Sequence, residues 1–317
     1  MPVLPSSEFD LIEQYFCGGN TRKDVLLGIG DDAALLTVPA GKALAVSVDT
    51  LVAGVHFFDD APPASIGHKA LAVNLSDMAA MGAEPAWFTL AITLPENDDA
   101  WLRPFCTGMF SLAEQYNITL VGGDTTRGPL CLSIQMSGFC TKPLRRDKAK
   151  PGQLIMVSGT LGDAAAAVAA IKKNQQPDDT MRQKLLYPEP QIKLGLALVN
   201  YADAAIDISD GLVADLGHIL EASQCGATLY RHQLPLSSEL LALHSPEQWH
   251  YALAGGDDYQ LCFTLDPEHA PALKSVASTL GVQLTVIGVI DGEPGLRVLD
   301  EDGCELSQTS GGYDHFG

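Results

Sequence analysis

Aspartates are the residues of this sequence whose positions point to chemistry. Most of them follow a short apolar segment or interrupt an apolar helix, where a charged side chain is unusual. They are Asp31 and Asp32 in GIGDDAA, Asp49 at the end of ALAVSVD, Asp77 within KALAVNLSDMAAMG, Asp124 at the end of ITLVGGD, and Asp207 and Asp210 in AIDISDGL. Because strand ends in α/β sheets meet along one edge, we expect several of these carboxylates to converge.

Convergence of carboxylates requires compensating positive charge. Two like charges about 4 Å apart repel by roughly 4 kcal/mol at an effective dielectric constant near 20, so a cluster of ionised carboxylates is unstable without protons or cations. The predicted cluster offers only oxygen ligands and no His or Cys. Such ligands favour a hard cation, and Mg²⁺ is the expected one. The sequence therefore predicts a site where Mg²⁺ bridges phosphate groups.

Each aspartate could also have a purely structural role. Gly-Asp pairs are common in turns, and an Asp or Ser ahead of a helix often caps it. Asp77 is the hardest to account for in this way. It shares a helix face with Asn74, whereas Leu71, Leu75 and Met78 form an apolar stripe on another face. A solvated outer face would account for the Asn74–Asp77 pair, but the helix carries few other charges, which favours a ligand role for Asp77.

Composition and missing motifs exclude several classes of protein. With 19 basic and 39 acidic residues the net charge is -20, which argues against nucleic acid as a partner. The P-loop, protein-kinase and α/β-hydrolase motifs do not occur. GIGDDA formally fits a dinucleotide-binding fingerprint, but Asp31 and Asp32 would repel the pyrophosphate. Apolar runs are too short for a membrane span, the first residues, MPVLPSSEFDLIEQ, show no basic leader followed by an apolar block, and seven scattered cysteines are typical of reduced thiols. We therefore expect a cytoplasmic protein.

Alternating strand and helix patterns organise the 317 residues. Strands are predicted at 25–29, 43–48, 88–94, 118–121, 131–139, 154–157, 261–265 and 284–290. Helices are predicted at 65–81, 100–116, 163–173, 191–201 and 212–223. The Pro-flanked basic segment TKPLRRDKAKPG reads as a solvated linker. We predict an α/β (α+β) protein with domains at 1–140 and 151–317 and a connection at 141–150.

Eight motifs occur between residues 28 and 316, within a match that runs from about residue 8 to residue 316. In order they are GIGDDAA, SVDTLVAGVHF, KALAVNLSDMAAMGAEPAW, LVGGDTTRGP, KPGQLIMVSGTLGDAAAA, AIDISDGLVADLGHI, AGGDDYQLCFT and GGYDHF. This set closely resembles the thiamine-monophosphate kinase family, within the aminoimidazole ribonucleotide synthetase superfamily. The resemblance implies a two-domain fold of that superfamily, with mixed sheets packed with helices, in which the N-terminal domains pair their sheets in a homodimer.

The resemblance also implies an activity: transfer of the γ-phosphoryl group of ATP to thiamine monophosphate with Mg²⁺, in a cleft that the C-terminal domain completes. The implied metal ligands are Asp32, Asp49, Asp77, Asp124, Asp207 and Asp210, supported by Ser47 and by the carbonyl of Val48. The implied nucleotide contacts are Gly123, Asp124, Arg146 and Ser209. His56, Asp257 and Tyr313 fall where the family holds the thiamine phosphate. Catalysis would rest on Asp77, Asp124 and Arg146.

Three positions depart from the family pattern. Asp257 stands where a Glu is expected, so its carboxylate is one methylene shorter. Val48 replaces a common Thr, which fits only a role for its backbone carbonyl. Arg146 lies in a connection of variable length, so Arg145 is an alternative contact. Because the acceptor is an ionised phosphate, no general base is required; charge neutralisation and positioning carry the reaction.

Two other functions compete with this hypothesis. One is a selenophosphate synthetase-like enzyme of the same superfamily that uses Cys17 as a nucleophile, although no basic residue adjoins Cys17 to lower the pKa of its thiol. The other is a non-catalytic module that binds divalent cations or nucleotide and acts through a partner. Cys17→Ser would abolish the first chemistry and leave a thiamine-monophosphate kinase almost unaffected. Binding of ATP and Mg²⁺ without phosphoryl transfer to any thiamine phosphate would favour the second.

Overall fold

The chain folds into two compact units in a computed structural model that describes residues 7–17, 22–306, 311–313 and 315. Unit 1 comprises Met1–Met78 and Ala83–Thr141, and unit 2 comprises Ala79–Gly82 and Lys142–Gly317. The division falls at the start of the basic segment between the two halves of the sequence. Residues 18, 19, 314 and 316, which belong to the segment after Cys17 and to the last motif, lie outside the described residues.

Unit 1 is built on a four-stranded sheet with the strand order β3-β6-β4-β5. Its strands are β1 Val25–Leu27, β2 Leu35–Leu36, β3 Ala43–Val52, β4 Glu84–Leu94, β5 Thr119–Arg127 and β6 Cys131–Cys140, and its helices are α1 Glu8–Tyr15, α2 Pro63–Ala80 and α3 Asp99–Gln115. Strands β1 and β2 form a separate pair. In the large sheet, β4 and β5 run parallel, while β3 and β4 both run antiparallel to β6.

Side-chain alternation explains why this sheet has one packed face. Leu90 and Ile92 of β4 and Ile134 of β6 are almost fully buried, because successive strand residues point to opposite faces and these share one. Helix α3 packs its apolar side inward through Leu102 and Met109, both without exposed surface. Its first turn is capped by Asp98, whose carboxylate accepts a hydrogen bond of 2.9 Å from Ala100 N–H.

Unit 2 is built on a six-stranded sheet with the order β12-β9-β11-β7-β10-β8. Its strands are β7 Leu154–Ser158, β8 Ala204–Asp207, β9 Gly226–Tyr230, β10 Leu261–Leu265, β11 Leu284–Asp291 and β12 Gly295–Leu299. Its helices are α4 Asp163–Lys172, α5 Asp179–Leu186, α6 Ile192–Leu198, α7 Leu212–Ser223, α8 Ser238–Ala242, α9 Glu247–Ala254 and α10 Ala270–Thr279. Only β12 and β9 pair in parallel. Helix α7 contributes Leu212, Leu216 and Ile219 to the core against this sheet.

The mixed sheets confirm the predicted fold class, but they correct two expectations about the aspartates. Strand β3 continues past Asp49 to Val52, and β5 continues past Asp124 to Arg127. Neither aspartate therefore ends its strand. The sequence pattern failed here because the strand residues beyond each Asp are Thr, Leu, Val and Arg, without a turn signal. Strands β3, β4 and β5 do run in the same direction, because β3 and β4 are both antiparallel to β6 and β5 is parallel to β4. Convergence of their carboxylates therefore depends on the sheet face that each side chain occupies.

Two further features concern the helices and the cysteines. Within the described part of the chain, no helix has both the length and the apolar character needed to cross a membrane. All seven cysteines are free thiols, and only Cys17 and Cys304 are exposed.

Candidate functional site

Ser47, Asp49 and Asp77 form a polar cluster in unit 1, the Asp49–Asp77 cluster. Ser47 and Asp49 are two residues apart on β3, so their side chains share the face that also buries Leu51. The hydroxyl of Ser47 donates a hydrogen bond to the Asp77 carboxylate of α2. The carboxyl groups of Asp49 and Asp77 also share a hydrogen bond. Two of the predicted ligand positions, 28 residues apart in sequence, are therefore in contact.

Burial and the proximity of Asp77 change the acidity of Asp49. Burial, together with the charge and hydrogen bond of Asp77, raises the pKa of Asp49 to about 7. Two carboxylates that share a site cannot both ionise without a compensating charge. Near neutral pH the pair therefore holds either a proton or a cation between its oxygens.

Asn74 shows that this side of α2 is not a solvated surface. Its side chain has no exposed area. Its Nδ2 donates to the carbonyl of Ala70 at 3.1 Å, whereas its Oδ1 has no hydrogen-bond partner among the described residues. The idea that Asn74 and Asp77 share a face turned to water is therefore wrong for Asn74. Asn74 Oδ1 is thus a buried oxygen atom on α2, one helical turn before the Asp77 carboxylate of the cluster.

The donor set of the cluster fits Mg²⁺. Carboxylate and hydroxyl oxygens are ligands of a hard cation, and Mg²⁺ usually takes only one or two carboxylates, with water and substrate phosphate oxygens as its other ligands. Among residues 7–17, 22–306, 311–313 and 315, no three or more His, Cys, Asp or Glu side chains are grouped closely enough to hold a metal. Within these residues, the cluster itself offers a pair of carboxylates and one hydroxyl.

Gly123 and Asp124 are not brought to this cluster. The strand register aligns Thr50, Ser133, Ala91 and Asp124 in one row across the sheet. Directly opposed residues point to the same face, so Asp124 lies on the face opposite to Asp49. The two strands are also the two edges of the sheet, about 14 Å apart at the usual strand spacing.

The remaining predicted residues of unit 1 lie in strand β3, just after it, or before it in the chain. Asp32 is exposed in the segment between β1 and β2, where its N–H bonds to the Asp31 carboxylate at 2.8 Å. The side chain of Val48 is 64% exposed, on the face that also carries Thr50. His56 follows β3, and its Nδ1 accepts a hydrogen bond of 3.0 Å from Val52 N–H, which fixes the ring against the end of the strand.

In unit 2 a loop at residues 208–211 brings together residues from three motifs. It follows β8, which ends at Asp207, and it carries Ser209 and Asp210. The N–H of Asp257 donates to the Ser209 carbonyl at 2.9 Å, and the N–H of Tyr313 donates to the Asp210 carbonyl at 3.1 Å. The residues predicted for nucleotide, metal and thiamine phosphate are thus joined through one stretch of backbone.

Two further predicted residues of unit 2 have distinct environments. The side chain of Asp207 is almost fully buried at the end of β8. Arg146 is exposed at the start of the 3₁₀ helix Arg146–Lys148. Its neighbour Arg145 is engaged by Asp147 through two hydrogen bonds of 2.8 and 2.6 Å. This bidentate pair occupies the guanidinium of Arg145, which favours Arg146 as the phosphate contact of the two.

Sequence reasoning missed three residues around this loop. Asp215 accepts hydrogen bonds from the loop backbone; an Asp four residues after Gly211, at a helix start, was the available signal. Asp258 accepts two bonds of 2.9 and 3.0 Å from Gly162 N–H, and burial raises its pKa well above the usual range. The hydroxyl of Tyr259 donates to Asp257 Oδ1 at 2.9 Å. No sequence pattern predicted the last two contacts, because both depend on how separate segments pack.

Comparisons with known proteins identify the chain's relatives. Residues 30–140 match the AIR synthase related protein N-terminal domain, and residues 150–301 match the C-terminal domain of the same proteins. The chain is 47% identical to the thiamine-monophosphate kinase of Escherichia coli (strain K12), over 99% of both chains.

Two solved structures have the same fold. One is the thiamine-monophosphate kinase from Stenotrophomonas maltophilia K279a, with a TM-score of 0.85, 47% identity, and coverage of 90% of this chain and 93% of that one. The other is described as AaThiL complexed with AMPPCP and TMP, with a TM-score of 0.79, 31% identity, and coverage of 100% and 99%. These matches confirm the resemblance and the fold inferred from the motifs. The chain belongs to the AIR synthase related proteins and, within them, to the thiamine-monophosphate kinase family.

Proposed function

We propose that this chain transfers the γ-phosphoryl group of ATP directly, in line, to the phosphate of thiamine monophosphate, with Mg²⁺ bound at the Asp49–Asp77 cluster. The observation that carries the proposal is the pair of touching carboxyl groups, whose mutual repulsion near neutral pH calls for a cation. The relative crystallised with AMPPCP and TMP supports the same two substrates for this chain.

The chemistry requires positioning more than proton transfer. The acceptor oxygen belongs to a phosphate whose second pKa is about 6, so it is already ionised and needs no general base. Mg²⁺ held by this chain would supply positive charge that offsets the repulsion between the two phosphates. Asp49 and Asp77 would hold it, and Ser47 orients the Asp77 carboxylate through its hydroxyl. We assign further metal contacts to Asp32, Asp207, Asp210 and the Val48 carbonyl. Asp124, on the opposite face of the sheet, is assigned to a separate Mg²⁺ ion, so that several ions would bind.

Nucleotide and acceptor recognition fall mainly to residues outside the cluster. We assign Gly123, Asp124, Arg146 and Ser209 to ATP, with the exposed guanidinium of Arg146 offsetting charge on the transferring group. We assign His56, Asp257 and Tyr313 to thiamine monophosphate. The shorter carboxylate of Asp257 is held by Tyr259, so its direction is set even though its reach is less than that of a Glu. Under this proposal, residues 1–140 bind metal and ATP and residues 151–317 complete the site.

One experiment tests the activity itself. The purified chain is incubated with ATP, Mg²⁺ and thiamine monophosphate, and thiamine diphosphate and ADP are measured by chromatography. We expect equal amounts of both products, and none when Mg²⁺ is omitted. ADP release that does not depend on thiamine monophosphate would contradict the assigned acceptor. Binding of ATP without any transfer would favour the non-catalytic alternative.

The competing use of Cys17 has a separate test. Cys17 is exposed just after α1, and the proposed transfer forms no covalent bond to the protein. We therefore expect Cys17→Ser to retain the kcat and KM of the parent within about twofold. A loss of turnover in this variant, with the melting temperature unchanged, would favour the selenophosphate synthetase-like chemistry.

A homodimer through the unit 1 sheet also belongs to this proposal. The outward side of the edge strand β3 forms an apolar stripe of Leu44, Val46, Val48 and Val52, which are 47%, 56%, 64% and 36% exposed. An exposed apolar stripe on an edge strand is an aggregation hazard unless another surface covers it. We propose that a second copy covers it, which places Asp124, on the same face, beside the subunit interface.

We also place the enzyme in the cytoplasm, where its free thiols stay reduced.

A charged substitution in the stripe tests the dimer. We expect Val46→Asp to convert the protein to a monomer, because a buried unpaired carboxylate at the interface would be strongly unfavourable. Light scattering after size-exclusion chromatography measures the mass. Val55→Asp changes a valine with 52% exposure outside β3 and serves as the matched control. Equal masses for parent, control and Val46→Asp would reject this interface.

A further inference from the structure

We propose that Asp215 is a positioning residue: its carboxylate holds the loop 208–211 in one conformation and thereby aligns the nucleotide side of the site with the thiamine phosphate side. The inference deepens the proposed function and rests on its assignment of Ser209, Asp210, Asp257 and Tyr313. It concerns a residue that need not touch either substrate.

The first observation is a convergence of backbone donors on one atom. Asp215 Oδ2 accepts hydrogen bonds from three consecutive N–H groups, those of Ser209 at 3.0 Å, Asp210 at 3.0 Å and Gly211 at 3.1 Å. The side chain lies in the first turn of α7, and the residue is 3% exposed. Water therefore cannot readily replace the carboxylate as the partner of these amides.

The second observation concerns the carbonyl groups of the same loop. The carbonyl of Ile208 accepts from Tyr259 N–H at 2.8 Å, that of Ser209 from Asp257 N–H at 2.9 Å, and that of Asp210 from Tyr313 N–H at 3.1 Å. Asp215 thus holds the N–H groups of the loop. The carbonyl groups of the loop hold the two segments assigned to thiamine phosphate, which contain Asp257 and Tyr313.

Packing makes these contacts intolerant of displacement. A Cβ atom added to Gly256 would lie 2.3 Å from the Ser209 carbonyl oxygen, and one added to Gly312 would lie 2.3 Å from the Asp210 carbonyl oxygen. Both distances are far below van der Waals contact. Backbone thus meets backbone directly at both places, so a shift of the loop must shift residues 255–259 and 311–313 as well.

Backbone strain in the thiamine phosphate segment supports the same view. Asp257 and Tyr259 are non-glycine residues with φ of 69° and 49°, in the left-handed region that side chains disfavour. Such conformations persist only where surrounding contacts over-determine them. The contacts here include the bonds from Asp257 N–H and Tyr259 N–H to the loop, and the bond from the Tyr259 hydroxyl to Asp257. Releasing the loop would release this strain and redirect the Asp257 carboxylate.

The test compares Asp215→Asn and Asp215→Ala with the parent. Asn keeps one acceptor oxygen in nearly the same shape, and Ala removes it, so Asn should retain more of each property. Hydrogen–deuterium exchange with mass spectrometry, on the ligand-free protein, reports the amides of 209–211 directly. We expect at least about tenfold faster exchange there in Asp215→Ala, because those amides lose their buried acceptor.

Enzyme kinetics and calorimetry supply the second readout. We expect KM for thiamine monophosphate to rise and the affinity for AMPPCP, titrated with Mg²⁺, to fall together, each by about tenfold in Asp215→Ala and less in Asp215→Asn. Asp291→Asn is the matched control, since it breaks a half-buried contact with Arg297 in the same unit, away from this loop. It should leave exchange at 209–211 and both affinities unchanged.

Each outcome decides the inference. If Asp215→Ala folds and neither amide exchange nor either affinity changes, the positioning role is wrong. If only Asp215→Asn folds, the absence of any change in that variant contradicts the role instead. It is equally wrong if Asp291→Asn produces the same changes, since the effect would then be a general loss of stability. If the parent protein does not phosphorylate thiamine monophosphate, the proposed function fails, while exchange at 209–211 and AMPPCP affinity still decide whether Asp215 holds the loop.

Discussion

Asp77→Asn should lower kcat by about three orders of magnitude while the protein stays folded. The carboxylate of Asp77 contacts both Ser47 and Asp49, so it stands at the centre of the proposed Mg²⁺ site. Removing its charge weakens the hold on a cation whose charge stabilisation is worth several kcal/mol in the transition state, and about 4 kcal/mol corresponds to a thousandfold in rate. An amide has nearly the same shape and can still accept the Ser47 hydrogen bond, so the fold should be retained.

Steady-state kinetics over a range of Mg²⁺ concentrations measures this effect, and circular dichroism checks the fold. Asp98→Asn is the matched control in the same unit, because Asp98 is exposed and caps α3, a role that Asn performs equally well. We expect the control to keep parental kcat. A near-parental kcat for Asp77→Asn at every Mg²⁺ concentration would remove Asp77 from the catalytic machinery.

The metal-free protein should lose stability as the pH rises from about 4 to about 7, and Mg²⁺ should reverse the loss. The pKa of Asp49 is raised from its ordinary value of 3.8 to about 7 by burial and by Asp77. The folded state therefore binds this proton more tightly than the unfolded state does. The corresponding stability is complete below about pH 4 and is lost as the pH rises through about 7.

At about 1.4 kcal/mol for each pKa unit, the loss is on the order of a few kcal/mol. Binding of Mg²⁺ to the ionised pair stabilises the folded state by mass action, so the gain should be largest above about pH 7. Melting temperatures measured from pH 4 to pH 8, with EDTA or with Mg²⁺, test both statements. Asp49→Asn should flatten the pH dependence in this range and reduce the stabilisation by Mg²⁺. An unchanged pH profile in that variant would assign the effect to other groups.

Local sequence patterns were enough to locate most of the long elements. Helix α2 and strand β6 differ from their predicted bounds by only one or two residues, because the apolar spacing and the flanking glycines are local signals. Strands β8, β9 and β12 were not predicted. They are short and begin with Ala or Gly, which have low strand propensity, and their stability comes from neighbouring strands of the six-stranded sheet.

The candidate site, like the fold, was predicted only in part from the sequence. The residue types that could hold Mg²⁺ and phosphate were evident in the sequence, because a carboxylate inside an apolar segment is costly to bury unless it is paired or binds a cation. Their grouping was not evident. Asp49 meets Asp77 because both face the space between β3 and α2, whereas Asp124 points to the other side of the sheet by the strand register. A shift of one residue in register would reverse which face each side chain occupies.

By itself, then, the order of residues determined which side chains are candidates for the site, the family and the class of reaction, since these depend on which chemical groups are present and how the motifs follow one another. Only the tertiary structure decided which carboxylates touch, why the pKa of Asp49 rises, and that Asp215 holds the loop joining Ser209 and Asp210 to Asp257 and Tyr313. The physical reason is that Coulomb interactions, burial and hydrogen bonds act over a few ångströms in space, between residues whose separation along the chain carries no information about that distance.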